Sequence, residues 1–280
     1  MADVITGTAE VAGTIEALVS AQIQEVLTAN QVIPGSILDW SSKAVPGMDR
    51  VSYPRMSNFV VQTKVSGVDL DAQSNAFGVD ILILDQHKAI DFIIEKVADV
   101  QSMVAVQDEY INQSGKDLAA EMDLYCINVM EAGISAAAPD HRRAYTGASL
   151  AKVDILLARQ LLNEAKVPQD SRYLGVSPAE ESSLMNISEF TRVDEAGGSA
   201  ALRNGEIGKL FGFTVLMSPQ FEDLKTLAYH RSCQVFARQW GPDVNMLYQP
   251  KKVATEVVLD HMYGSKHLDS GKRAVLLGTA

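Results

Sequence analysis

The segment Ser57 to Gln86 (SNFVVQTKVSGVDLDAQSNAFGVDILILDQ) constrains this chain more than any other. Phe59, Val61, Thr63 and Val65 alternate with polar or smaller residues, the pattern of a half-buried strand. Val79, Ile81 and Ile83 repeat that pattern beyond a polar, glycine-containing stretch, Ser66 to Gly78. Together they predict a long hairpin with a loose tip. If its first strand begins near Arg50, some ~15 residues at about 3.3 Å each reach roughly 50 Å. A compact body of this chain length is only about that wide. Such a hairpin cannot lie on its own core along its whole length, so it needs another surface.

Around the hairpin the pattern is mixed. Residues 1–49 have weak periodicity and turn signals at Pro34-Gly35 and Pro46-Gly47, which predicts an N-terminal arm that frays without partners. Within it, Thr14 to Leu27 allows a short amphipathic helix through Ile15, Leu18, Val19, Ile23 and Val26. Lys88 to Val97 fits a strand through Ile90, Phe92 and Ile94, or a helix through Ile90, Ile93, Ile94 and Val97. Val100, Val104, Ile111, Leu118, Met122, Tyr125 and Val129 then predict one helix from about Ser102 to Ala132. It would be about 46 Å long, with Gly115 inside it as a place for a kink.

After Pro139 helices and strands alternate. Ser149 is placed to cap a helix through Leu150, Val153, Leu156, Leu157 and Leu161, and Arg172 to Val176 reads as a strand. Ser177-Pro178-Ala179-Glu180 has the residues of a capping box opening a helix to about Ile187. Gly197-Gly198 marks a loop, and Phe213 to Met217 a buried strand. The remainder is strand-rich: Ala228 to Arg238, Val253 to Asp260 and Ala274 to Leu277. Trp240-Gly241-Pro242 and Gln249-Pro250 are expected to bracket the loop between the first two.

Composition narrows the function. A chain 47% hydrophobic and 21% charged has an ordinary globular balance, and no run of 18 apolar residues spans a membrane. The start lacks the basic opening and apolar block of a secretory signal. A net charge of −11 is the wrong sign for gripping phosphates. It suits a container wall that nucleic acid must not stick to, and solubility accounts for it equally well. Cys126 and Cys233 form no CxxC pair and read as buried free thiols in a chain made in a reducing cytosol.

Catalytic and cofactor motifs are missing. Gly205-Glu206-Ile207-Gly208-Lys209 has neither the spacing nor the Ser/Thr of a phosphate-binding loop, and Gly205, Gly208 and Gly212 follow no strand that would make them a dinucleotide fingerprint. Ser149-Leu150-Ala151-Lys152 matches the SxxK pattern without its companion elements. His261 and His267 lack metal-ligand spacing and read as surface or strand-edge histidines. Asp69 and Asp71 lack a calcium-loop ligand ladder, and Asp117, Glu121 and Asp123 read as the solvated face of the long helix. No catalytic, cofactor-binding or metal-binding residue is therefore predicted, and no cofactor.

The order of these elements resembles the major capsid proteins of tailed bacteriophages, an α+β fold named for the Hong Kong 97 phage. The similarity spans residues 50–280. It is most specific at Leu202-Arg203-Asn204-Gly205-Glu206-Ile207-Gly208-Lys209-Leu210-Phe211-Gly212-Phe213-Thr214-Val215-Leu216-Met217-Ser218, which is similar to the family's G-x-I-G-x-x-x-G-F-x-V-x-x-S stretch. Leu118-Ala119 with Asp123 is similar to its spine helix, and Arg172 to Glu181 is a third, weaker piece.

The resemblance implies an N-terminal arm at 1–49 and an extended loop at 50–86. It implies a peripheral domain from 87–138 with 228–280, and an axial domain at 139–227. It also implies a non-enzymatic coat protein that assembles as hexamers and pentamers into the icosahedral virion shell around double-stranded DNA. Such a protein is made in the host bacterial cytoplasm, works with a scaffolding protein and portal, and in some cases takes a decoration protein. Some members carry their own N-terminal scaffolding segment, but 49 residues are too few for one, which points to a separate scaffolding protein. Lys64 sits where some members cross-link Lys to Asn, without specific support for that chemistry here. The alternatives are an encapsulin-like nanocompartment shell and an α/β enzyme of unidentified type.

Overall fold

The structure is a computed structural model that describes residues 20–23, 25–27, 31–56, 59–67, 69–70, 72–73, 77–95, 106–134, 140–186, 208–268 and 271–278. Residues 1–19 of the arm, the expected helix start at Ser102, Asp71, the Gly197-Gly198 loop and residues 202–207 of the glycine-bearing stretch lie outside that set.

A four-stranded sheet and the long helix make the larger core. The sheet order is β1-β10-β11-β4, built from β1 (Leu38–Asp39), β4 (Gln86–Glu95), β10 (Gln234–Gln249) and β11 (Ala254–His267). The ambiguous segment after Lys88 is thus a strand. Its register on β11, Ile90 opposite Leu259 and Phe92 opposite Val257, extends an apolar face that a helix in this place would break up. Trp240-Gly241-Pro242 is not the expected turn. It lies inside β10, where the register against β11 shifts between Arg238 and Asp243. Proline cannot donate to the ladder, so extra residues bulge out and the strand continues. The chain reverses only after Gln249-Pro250.

Helix α1 (Val106–Gly133) lies on one face of this sheet. Ile111, Leu118, Met122, Cys126 and Met130 form one buried cluster with Phe236, Val244, Val257, Leu259 and Tyr263. Gly115 does not interrupt the helix. A Cβ there would stand 2.9 Å from Val26 Cγ1 and 3.4 Å from the Ile23 carbonyl, so the missing side chain is the seat of the preceding segment. Residues 20–23 and 25–27 are helical, and Ile23, Leu27, Ile33 and Ile37 are fully buried in that same cluster. From Ile23 onward the expected arm is therefore part of the core, because its apolar residues find α1 within the same chain.

The second core lies under a six-stranded sheet of order β5-β12-β9-β6-β8-β7. Its strands are β5 (Arg142–Arg143), β6 (Arg172–Val176), β7 (Lys209–Leu210), β8 (Phe213–Met217), β9 (Lys225–His230) and β12 (Ala274–Gly278). Two of its inner strands, β9 and β12, reach into segment 228–280. Helix α2 (Lys152–Glu164) buries Ile155, Ala158, Leu161 and Leu162 with Leu174, Val176, Phe213, Ala228 and Val275.

Ser149 does not cap this helix. Asp154, at its third position, accepts the Ala151 N–H at 3.0 Å and both the N–H and hydroxyl of Thr146, at 2.9 and 2.6 Å. Helix α3 (Pro178–Met185) is capped by Ser177, whose hydroxyl accepts the Glu180 N–H at 3.5 Å and donates to the Glu180 carboxylate. Glu180 does not complete the box; its other oxygen accepts the Leu224 N–H at 2.8 Å. In β8 only Phe213 is fully buried, because β7 beyond it has two residues and leaves the rest half covered.

Candidate assembly surface

Seven residues of β2 (Arg50–Met56) pair with seven of β3 (Phe77–Ile83), from Arg50 opposite Ile83 to Met56 opposite Phe77. That ladder is about 23 Å long, shorter than expected. Phe59 to Val65 is not its strand. The paired strand ends at Met56, and residues 59–65 run without a partner strand. The alternation there marks no half-buried face, because both parities are exposed: Phe59 65%, Val60 72%, Val61 97% and Val65 59%. Val60 instead gives its backbone N–H to the side chain of Gln73 at 2.9 Å and accepts from that same amide, which ties the tip across its base.

The hairpin is rooted at one end only. Val51 and Leu82, directly opposite each other, are buried with Trp40, Ala44, Leu84, Val235 and Ala237. Tyr53 stacks on Trp40 at 4.9 Å, and the Lys43 ammonium lies 4.6 Å over the indole. The root crosses β11 at Gly264, where a Cβ would fall 2.2 Å from the Ile83 carbonyl oxygen. Beyond that root, Val79 and Ile83 join the tip residues in exposing large apolar side chains. Exposed apolar groups contiguous over one projection mark an interaction site. Sequence reasoning found the projection and missed its hinge point; glycine inside an apolar strand was the signal available for Gly264.

The residues considered for chemistry are scattered. Ser149 and Lys152 flank the start of α2, Asp69 is exposed at the hairpin tip, and Asp117 is exposed on α1 while Glu121 pairs with Lys88 at 2.7 Å. Asp123 is not on the solvated face. It is 2% exposed and accepts the N–H groups of Val32, at 3.1 and 3.2 Å, and Ile33, at 3.0 Å. Burial raises its carboxyl to about 6, against the opposing pull of those two bonds. His261 is likewise no edge residue but sits inside β11, 1% exposed, its ring 4.9 Å from that of Tyr263. Burial and the nearby Arg238 charge hold its imidazole down to about 4. His267 is half-buried against Gly133. Cys126 and Cys233 are buried free thiols, pushed up mainly by desolvation. Gly212 and Phe211, φ +88° and +47°, form the two-residue turn between β7 and β8, a structural use of the glycine. Among the described residues no group of three or more acidic, histidine or cysteine side chains is placed to hold a metal ion, and no helix is long and apolar enough to cross a membrane.

Residues 89–276 match the sequence family of phage capsid proteins. The chain belongs to that family. The matched span takes in β4, the long helix, both sheets and the glycine turn, so it covers both cores described above. The fold is also that of solved shells. A structure from Mycobacterium phage Che8 is 23% identical with a TM-score of 0.71, over 88% of this chain and 90% of that one. The capsid structure of cyanophage P-SCSP1u is 14% identical with a TM-score of 0.71, over 88% and 86%. A virus-like particle from Pyrococcus furiosus is 9% identical with a TM-score of 0.60, over 93% and 98%. No curated protein sequence matches the chain. The chain is thus a phage major capsid protein with the Hong Kong 97-type fold, a structural protein of the virion, and the encapsulin reading has less support than this one.

Proposed function

We propose that this capsid protein builds a closed icosahedral shell of hexamers and pentamers around double-stranded DNA, and that its hairpin is the contact one subunit extends to the next. The observation that carries this is the tip itself. Four large apolar side chains, Phe59, Val60, Val61 and Val65, stand more than half exposed on a projection that no part of its own subunit covers. Covering such groups is worth roughly 1.5–3 kcal/mol each, and only another molecule is in a position to do it.

The four-stranded sheet with α1 makes the core of the peripheral domain, from 87–138 and most of 228–280. The six-stranded sheet with α2 and α3 makes the axial domain around 139–227, with β9 and β12 entering it from the following segment. A separate scaffolding protein and a portal act during assembly in the host cytoplasm, and a decoration protein is a further partner. The DNA is enclosed without sequence-specific contacts, which the net charge of −11 favours.

The test replaces residues 59–73 with a short Gly-Ser turn. Melting of the free subunit should stay within a few degrees, since this segment adds nothing to the buried clusters. Sedimentation and negative-stain microscopy at micromolar concentration, with and without scaffolding protein, should show shells or capsomers for the wild type and their loss in the variant. A wild type that stays monomeric or dimeric under both conditions, or a variant that assembles normally, overturns the reading.

A further inference from the structure

The four-stranded sheet has a second face, and over its distal half it is bare. Val244, Leu259, Ile90, Met246, Val257 and Phe92 turn toward α1. By strand alternation their neighbours turn the other way. On β4 these are Asp91, Ile93 and Glu95; on β11 Glu256, Val258 and Asp260; on β10 Asp243, Asn245 and Leu247. Five of the nine are carboxylates, and His87, 2.9 Å from Asp260, is the nearest cationic candidate. Lys251 and Lys252 lie beyond the strand ends, in the turn. Between the carboxylates Leu247 and Ile93 are exposed.

The first limb of the hairpin is the complement of that face. From Arg50 to Val68 the chain has Arg50, Arg55 and Lys64 and not one acidic residue, within a protein of net charge −11. Arg50 is engaged by Asp49 at 2.9 Å, which leaves Arg55 and Lys64 to set the sign of the outer limb. Both flank the exposed Phe59, Val60 and Val61. The limb thus presents cations on either side of apolar groups, and the face presents apolar groups among carboxylates. The limb's own subunit roots it at Trp40 and Val235, at the proximal end of this sheet, so the distal face is open to a second copy.

Resting on the assembly reading above, we propose that the first hairpin limb of one subunit seats on this acidic sheet face of another copy, with Arg55 and Lys64 against the carboxylates of β4 and β11 and the valines over Leu247 and Ile93. Like charges facing each other in a wrong register would repel, so the arrangement selects orientation as well as affinity.

A charge-swap experiment tests it. One variant carries Asp91→Lys and Glu256→Lys, a second Arg55→Glu and Lys64→Glu, and a third all four. All four positions are outside the buried clusters, and circular dichroism with thermal melting confirms each fold. Sedimentation of the full chain at equal micromolar concentration is expected to show the assembled fraction falling at least tenfold in each double variant. In the quadruple variant it should return to within about threefold of wild type. No recovery in the quadruple variant, or normal assembly of the lysine variant, overturns the seat proposed here while leaving the hairpin's role standing. Normal assembly of the glutamate variant overturns both.

Discussion

Single residues in this subunit are held by what surrounds them, and Asp123 shows how far that departs from a surface pattern. On α1 it occupies a position that reads as solvated, yet it is the only acceptor shown for two buried N–H groups, those of Val32 and Ile33. Leaving a buried donor unpaired costs about 1–3 kcal/mol, so Asp123→Ala should lose roughly 2–4 kcal/mol of free-subunit stability by denaturant titration. Its pH signature has a definite sign. With a carboxyl raised from 3.8 to about 6, the native state holds the proton more tightly than the unfolded chain. The associated stability is present below pH 3.8 and is lost as pH rises through 6, a swing on the order of 3 kcal/mol. His261 acts in the opposite sense. Lowered from 6.5 to about 4, its contribution is present above pH 6.5 and lost as pH falls through 4. The two nearly cancel in the wild type. Asp123→Asn should therefore make stability climb more steeply with pH between 4 and 6.5, and an unchanged slope would show that Asp123 does not titrate in that window.

Elements meet where side chains are absent. Gly264 lets the hairpin root cross β11, and no rotamer change can relieve a Cβ placed 2.2 Å from the Ile83 backbone oxygen. Gly264→Ala should cost about 3 kcal/mol and lower shell yield through a displaced hairpin; calorimetry of the free subunit reads the first and sedimentation the second. The Phe211-Gly212 turn works by conformation instead of space. With φ at +88° and nothing within 4 Å of a Cβ there, Gly212→Ala suffers backbone strain alone, expected at about 1 kcal/mol. ATP or NAD should shift the melting of neither form, whereas stabilisation of the wild type by either ligand would reopen a nucleotide site.

At the scale of the molecule, the segment before the hairpin and the hairpin tip play opposite parts. Ile33 is fully buried beneath α1 and the sheets, so Ile33→Ala should destabilise the free subunit by about 3 kcal/mol, measured by urea unfolding. The tip is exposed, and its replacement should leave that stability alone while abolishing shells. A subunit built this way keeps apolar surface in reserve for its neighbours.

Periodicity alone determined much of this fold. The 28-residue helix α1, the Arg172–Val176 and Phe213–Met217 strands, the Ser177 cap and a projecting hairpin all follow from local patterns of 3.6 and 2.0 residues and from capping chemistry. What tertiary structure decided was everything that depends on a partner far along the chain. Lys88 to Glu95 became a strand because β11 offered a ladder; Trp240 to Pro242 stayed in a strand because the bulge kept its pairing. The segment from Ile23 to Ile37 became core because Gly115 opened a seat for it, and Asp123 went inside because two N–H groups needed an acceptor. Phe59 to Val65 had a strand's alternation and no strand beside it. Alternation specifies which side chains share a face, but burial of that face depends on whether a second surface lies within reach, and for this segment the subunit itself provides none.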